Sequence, residues 1–511
     1  METNGRWVRT LDKRETLHAR TSTRPGSPIP ATAVAQLRLL AISVGRVWRC
    51  PEDKIMAAKR IPARSRGMLD FLARRSPFTR QVVLPAENFI HSETAGAAFL
   101  LAAAVIALLW ANSPWSASYF HLRANVITVM LGPFRIADDL THWINDGLMT
   151  IFFFVVALEI KRELVDGELS TFKKAALPVT AALGGMLVPV AIFLAINAGG
   201  EGAHGWGIPM ATDIAFALGV LALVGPQIPF ALRVFLLAYA IVDDIGAILV
   251  IAFFYSGNLS LIAIGWSVAI LAVIVLLRFA GVRWIPVYII LGVCFWGAVF
   301  ESGIHATIAG VILGLLAPSR AWISAGETVD QLEKSLPDLR KAVENKQRQR
   351  GEAILGEIDV LSRHSEAPLE RIERLVHPWV SFVVLPLFAL ANAGVSLSGE
   401  AASAALTSRV AIGVAAGLLF GKFIGLTGFA WAAVRLGFAD LPKDATWRHL
   451  CGTALLGGIG FTVAIFVAGL AYSEEAMTDA AKIAIFFSSL VAAVAGWTFL
   501  RFATSSGRSV A

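Results

Sequence analysis

Residues 230–255 read FALRVFLLAYAIVDDIGAILVIAFFY, a stretch apolar and long enough to cross a bilayer as one helix. Asp243 and Asp244 stand near its midpoint, about 20 Å along the helix from either end at 1.5 Å per residue. A charged side chain at the centre of a membrane helix costs about 2.5–3.5 kcal/mol, so an adjacent pair needs partners, protons or a bound cation. An intramembrane cation or proton site is the default reading of such a pair; the competing one is a polar contact between two helices.

The rest of the chain agrees with a membrane setting. At 511 residues, 56% hydrophobic and 16% charged, the composition is that of an all-α polytopic membrane protein. Cys50, Cys294 and Cys451 are too few and too scattered for a disulfide framework or a metal cluster, and they read as packing residues. The net charge of +7 is uneven, because residues 1–90 hold 17 Lys and Arg against 7 Asp and Glu. Ahead of a membrane domain at 91–505, this basic stretch marks the cytoplasmic side and gives no ground for a nucleic-acid partner. Its Arg, Ser and Pro content, as in RTSTRPGSPIP at 20–30, predicts a mostly disordered extension. Met56 and Met68 are alternative first residues, and no cleavable secretory signal is read there.

About twelve apolar segments follow, near 94–111, 144–160, 175–197, 206–224, 230–255, 259–277, 284–300, 304–317, 376–395, 410–434, 451–472 and 483–500. Lys161, Arg162, Lys173 and Lys174 follow the second, Arg278 and Arg283 the sixth, and Arg435, Lys443 and Arg448 the tenth. All fall on the side of the basic N-terminus and of Arg501 and Arg508, so alternation closes with both termini cytoplasmic. The connection 318–375, dense in both charge signs, is expected to be a solvated cytoplasmic helix and linker.

Two segments carry helix breakers at mid-depth. WGIPMATDIAFALGVLALV (206–224) holds Pro209, Thr212 and Asp213, and CGTALLGGIGFTVAIFVAGLAY (451–472) holds Gly457, Gly458 and Gly460 beside Thr462. Unwound backbone at that depth is viable only inside a protein or along a cavity, so two discontinuous helices are expected; close small-residue packing is the alternative. Each is the middle member of an apolar triplet, 175–255 and 410–500, a pairing that points to an inverted-repeat transporter. The segment at 410–434 holds one charge within its apolar run, Lys422, too deep to reach an interface. It must be deprotonated or face a carboxylate, and Asp243 and Asp244 lie at matching depth with Asp213 close by.

ATDIAFALGVLAL (211–223), IVDDIGA (241–247), SGIHATIAGV (302–311), HPWV (377–380), PLFALANAGVSL (386–397), GK (421–422) and GGIGFT (457–462) stand in one order over roughly 90–505. In these seven motifs the chain resembles the NhaA-type sodium/proton antiporters of bacterial inner membranes, a family documented to have inverted repeats with two broken crossing helices. The resemblance implies a multi-pass inner-membrane antiporter that exports sodium or lithium for protons under pH regulation, needs no cofactor and forms a homodimer. It also implies that Asp243 and Asp244 bind the transported cation and the protons, with Asp244 the direct sodium ligand and Thr212 a second candidate. Lys422 then resembles the charge partner of Asp243, and Asp213 the compensating charge where the broken helices cross. Glu159, Arg162, Glu163, Glu373 and His377 resemble the family's pH-responsive funnel, although by spacing alone the first three read as a solvated helix end. Asp146 and His305 also match family positions. At Arg374 a fixed positive charge stands where a histidine is expected, replacing a group that titrates near neutrality.

Two carboxylates on consecutive residues in a low-dielectric cavity cannot both stay ionised cheaply, so their protonation is coupled. Sodium, a hard cation preferring oxygen, can replace the protons as counter-charge, and competition for one site that faces one side at a time is exchange. Two other classes of protein would place acidic residues at this depth. A sodium-coupled organic-anion symporter should lack the lysine opposite the aspartates, and an intramembrane aspartyl protease should show a GxGD motif, which neither aspartate has.

Overall fold

A computed structural model describes residues 93–131, 134–225, 227–257, 259–282, 284–397, 399, 403 and 407–505. The basic extension at 1–90, with Met56 and Met68, lies outside the described residues.

The chain opens with helix α1 (Glu93–Ala111) and a short α2 (Ser116–Arg123). Strands β1 (Val126–Leu131) and β2 (Phe134–Asp139) then form an antiparallel hairpin, Val126 opposite Asp139 and Leu131 opposite Phe134. The sequence reading did not anticipate this hairpin, although VITVML has the β-branched content that suits a strand. Next come α3 (Leu140–Val165) and α4 (Phe172–Asn197). A bent pair follows, a 3-10 helix (Glu201–Met210) and α5 (Ile214–Val224), and then α6 (Phe230–Phe254) and α7 (Leu261–Phe279). After α8 (Ile285–Phe300) and α9 (Thr307–Leu316) the chain leaves the apolar bundle as α10 (Ala325–Glu344) and α11 (Arg348–His364). It returns with α12 (Pro368–Asn392) and α13 (Arg409–Arg435), a second bent pair α14 (Trp447–Leu456) and α15 (Phe461–Ala471), and finally α16 (Glu475–Ser505).

Among the described residues eight continuous helices are long and apolar enough to cross a membrane, and the bent pairs bring the number to ten. The apolar segments near 284–300 and 304–317, expected to run across or into the membrane, form the shorter helices α8 and α9, with 16 and 10 residues. At 1.5 Å per residue ten residues reach about 15 Å, half the hydrocarbon thickness. The expectation of one helix and a linker at 318–375 is corrected: the region holds two helices, α10 and α11, that pack on each other. Ser324 and Glu327 close a capping box at the start of α10, the Ser324 N–H donating to Glu327 Oε2 at 2.9 Å. The base is tied by the Trp322 and Ile323 N–H groups, which donate to the His364 carbonyl at 3.1 and 3.2 Å, and by the Leu369 N–H on the Pro318 carbonyl at 3.0 Å.

Helices α4 and α13 approach closely, and glycine makes it possible. Gly417, Gly421 and Gly425 recur every fourth residue on α13, giving one face without side chains. A Cβ on Gly425 would stand 2.1 Å from the Gly184 carbonyl oxygen, and one on Gly421 would stand 2.6 Å from Pro189 Cα. The turn Gly417–Gly421 is π-helical, and Lys422 follows it directly. Such a turn disturbs the helical register at that point and is frequent at functional sites. Backbone contact on this face and the widened turn together carry Lys422 into the bundle.

Candidate functional site

The two bent pairs break where their breakers stand, with bends of 45° at residues 211–213 and 44° at 457–460. The breaks meet: the Asp213 N–H donates to the Ile459 carbonyl at 2.7 Å, and the Thr212 hydroxyl donates to the Gly457 carbonyl at 2.9 Å. Gly458 and Gly460 leave room for the crossing, since their Cβ atoms would lie 2.6 Å from the Leu418 carbonyl and 3.3 Å from that of Ala211. Carbonyls and N–H groups freed by one break are thus satisfied by the other, which makes irregular backbone tolerable at that depth.

Asp213 lies at the crossing, 2% exposed. One carboxylate oxygen accepts the Phe216 N–H at 2.9 Å at the start of α5; the other accepts the Thr462 N–H at 3.1 Å and hydroxyl at 2.5 Å at the start of α15. Both helix N-termini carry partial positive charge, so the anion is electrostatically matched.

Asp243 and Asp244 sit mid-way along α6, 0% and 2% exposed, with Lys422 and Thr212 both at 0%. Lys422 Nζ donates to Asp243 Oδ2 at 2.6 Å and to the Tyr239 phenol oxygen at 3.3 Å, and also contacts the Met210 carbonyl at the end of the 3-10 helix. The ammonium is therefore shared by α6, α13 and a broken-helix end. Asp243 Oδ1 and Asp244 Oδ1 are buried and have no hydrogen-bond partner among the described residues. Leaving carboxylate oxygens bare in a low-dielectric interior is costly, and such oxygens are of the kind that a hard cation or a proton takes.

The other site residues lie apart from this centre. Arg162 on α3 pairs with Glu373 on α12 and lies 3.6 Å from Glu163 Oε1. Glu159 stands one turn earlier on α3, and His377 one turn beyond Glu373 is exposed. Arg374 turns from this cluster to Glu366 in a two-pronged ion pair, its Nη2 at 2.8 Å from Oε2. Asp146 lies in a π-helical turn of α3, 3.7 Å from His305 Nε2. Sequence reasoning missed Tyr239 and the Met210 carbonyl. The one available signal was a phenol four residues before Asp243 in an otherwise aliphatic turn.

A polytopic helical bundle whose broken helices cross beside a buried, charge-bearing polar site defines a secondary membrane transporter. Residues 87–500 match the Na+/H+ antiporter 1 family, and the chain belongs to it. It is 45% identical over 426 residues to the Na(+)/H(+) antiporter NhaA of Oleidesulfovibrio alaskensis, covering 82% of this chain and 94% of that one. Against Na(+)/H(+) antiporter NhaA 2 of Sorangium cellulosum the identity is 46%, covering 81% and 89%, and against NhaA of Syntrophobacter fumaroxidans it is 42%, covering 84% and 92%. The chain is thus a multi-span membrane protein of a transporter family, not an enzyme.

Proposed function

We propose that this protein exchanges sodium for protons across a bacterial inner membrane, with Asp243, Asp244 and Thr212 as the site that both ions occupy in turn. The names of its relatives support the substrates. The observation that carries the site is the pair of buried, unpartnered oxygens on Asp243 and Asp244. With sodium as substrate the two carboxylates and the Thr212 hydroxyl supply oxygens, and protons are displaced. With Asp244 protonated and Asp243 paired to Lys422, these three groups carry no net charge and the cation leaves.

In this reading Lys422 holds Asp243 while sodium is absent, and loosening of that pair accompanies binding. Asp213 keeps the crossing of the two breaks electrostatically neutral as one bundle moves against the other. The triplets α4 to α6 and α13 to α16, each with a broken pair between continuous helices, act as the two inverted repeats that alternate access. Glu159, Arg162, Glu163, Glu373 and His377 form a charged entrance that tunes activity with pH, lithium is accepted in place of sodium, and no cofactor takes part. The protein lies in the bilayer with both termini cytoplasmic and works as a homodimer.

The test is dequenching of a pH-sensitive dye in everted vesicles on addition of sodium chloride. Wild type responds and Asp244→Asn does not; equal responses remove Asp244 from the mechanism.

A further inference from the structure

Tyr239 belongs to none of the motifs, yet it connects the lysine to the threonine at the site. It is 0% exposed and lies one turn before Asp243 on α6. Its phenol oxygen is 3.3 Å from Lys422 Nζ and 3.4 Å from Thr212 Oγ1.

Chemistry fixes the direction of each bond. A lysine ammonium only donates, and the single Thr212 hydroxyl proton is committed to the Gly457 carbonyl at 2.9 Å. Tyr239 therefore accepts from Lys422 and donates to Thr212. The three ammonium protons are then matched by Asp243 Oδ2, the Met210 carbonyl and the Tyr239 oxygen. Space for the phenol comes from two glycines: a Cβ on Gly185 would lie 2.9 Å from the Tyr239 oxygen and one on Gly457 3.3 Å from it.

We propose that Tyr239 is a positioning residue for the transported cation. Its O–H holds the Thr212 hydroxyl with the proton turned to Gly457, so Thr212 offers a cation an oxygen lone pair and not a hydrogen. A hydroxyl left alone rotates to suit any neighbour, and that freedom must be lost on binding. Through the same phenol the orientation of Thr212 is tied to the charge on Lys422, so the group facing Asp243 and a cation ligand respond together. This inference rests on the reading of Asp243, Asp244 and Thr212 as the sodium site. Both phenol contacts, one N–H···O and one O–H···O, exceed the usual separations of about 2.9 and 2.8 Å, which places the effect at the modest end.

The test is sodium titration of exchange in everted vesicles for wild type, Tyr239→Phe and Gly185→Ala, each purified in parallel for thermal unfolding. Tyr239→Phe removes only the hydroxyl, and Gly185→Ala pushes the phenol from outside the site. Both are expected to raise the sodium KM about threefold, in line with one weak hydrogen bond, with Vmax within about twofold of wild type. In the Tyr239→Phe background Gly185→Ala should add nothing to KM. An unchanged KM with lower Vmax and lower melting temperature makes Tyr239 a packing residue and overturns the proposal; so does a KM effect of Gly185→Ala that persists without the phenol. If Tyr239→Phe does not accumulate folded, Gly185→Ala alone decides by the same KM criterion. Absence of a sodium response in wild type would instead remove the parent reading, whereas a wild-type response with unaltered KM in the variants removes this inference alone.

Discussion

Asp213 and Thr462 are joined twice, the Thr462 N–H at 3.1 Å and its hydroxyl at 2.5 Å both donating to Asp213 Oδ2. Because Oδ1 of the same carboxylate caps α5 through the Phe216 N–H, one anion closes the N-terminal ends of two half-helices that are far apart in sequence. Loss of a helix cap costs about 0.5–2 kcal/mol, so Asp213→Ala should destabilise the protein by about 1–4 kcal/mol. Asp213→Asn, which keeps an acceptor, should cost less. Melting temperatures in detergent check this, and equal values for the two variants would mean that the shared cap contributes nothing.

Lys422→Ala leaves Asp243 buried without its cation. Breaking such a pair from one side costs about 3–5 kcal/mol, much of it from the stranded charge. Replacing both partners, as in Asp243→Asn with Lys422→Met, should restore much of the lost stability while exchange stays absent. A double variant that melts no higher than Lys422→Ala would contradict the pairing.

Sodium and protons that compete for the same carboxylates impose a pH dependence on sodium affinity. As pH falls, the proton-bound site becomes the majority state, and the apparent sodium KM should climb toward about tenfold per pH unit for each proton displaced. As pH rises, KM should level off at the intrinsic affinity. Measurement of KM in vesicles between neutral and alkaline pH decides the point, a flat profile being incompatible with one shared site.

Gly425 faces the backbone of α4 with no room for a methyl group, since a Cβ would lie 2.1 Å from the Gly184 carbonyl oxygen. Gly425→Ala must part α4 from α13 or shift α13, and overpacking of this kind costs roughly 1–3 kcal/mol. Because Lys422 lies one turn away on the same helix, exchange should fall more than folded yield does. Gly428→Ala, with nothing within 4 Å of its Cβ, is the control that should leave both unaltered.

The run at 230–255, the aspartates within it, the lysine in an apolar segment and the breakers at mid-depth were legible from residue order alone. Each is a matter of hydropathy over about twenty residues or of a charge where lipid would forbid one, and both depend on local composition. Helix ends were found to within a few residues in most segments. The hairpin at 126–139 was not legible, because its residues carry no strong alternation.

What composition could not decide is which groups meet. That Lys422 chooses Asp243 and leaves Asp244 Oδ1 bare, that Asp213 serves two helices, and that Arg374 turns to Glu366 follow from how glycine faces let helices approach and from where the two breaks cross. Residue order determined the membrane class of this protein and the depth of its charges, because the bilayer acts on each segment separately. Only the tertiary structure determined the partners, because hydrogen bonds of about 3 Å depend on packing between segments hundreds of residues apart.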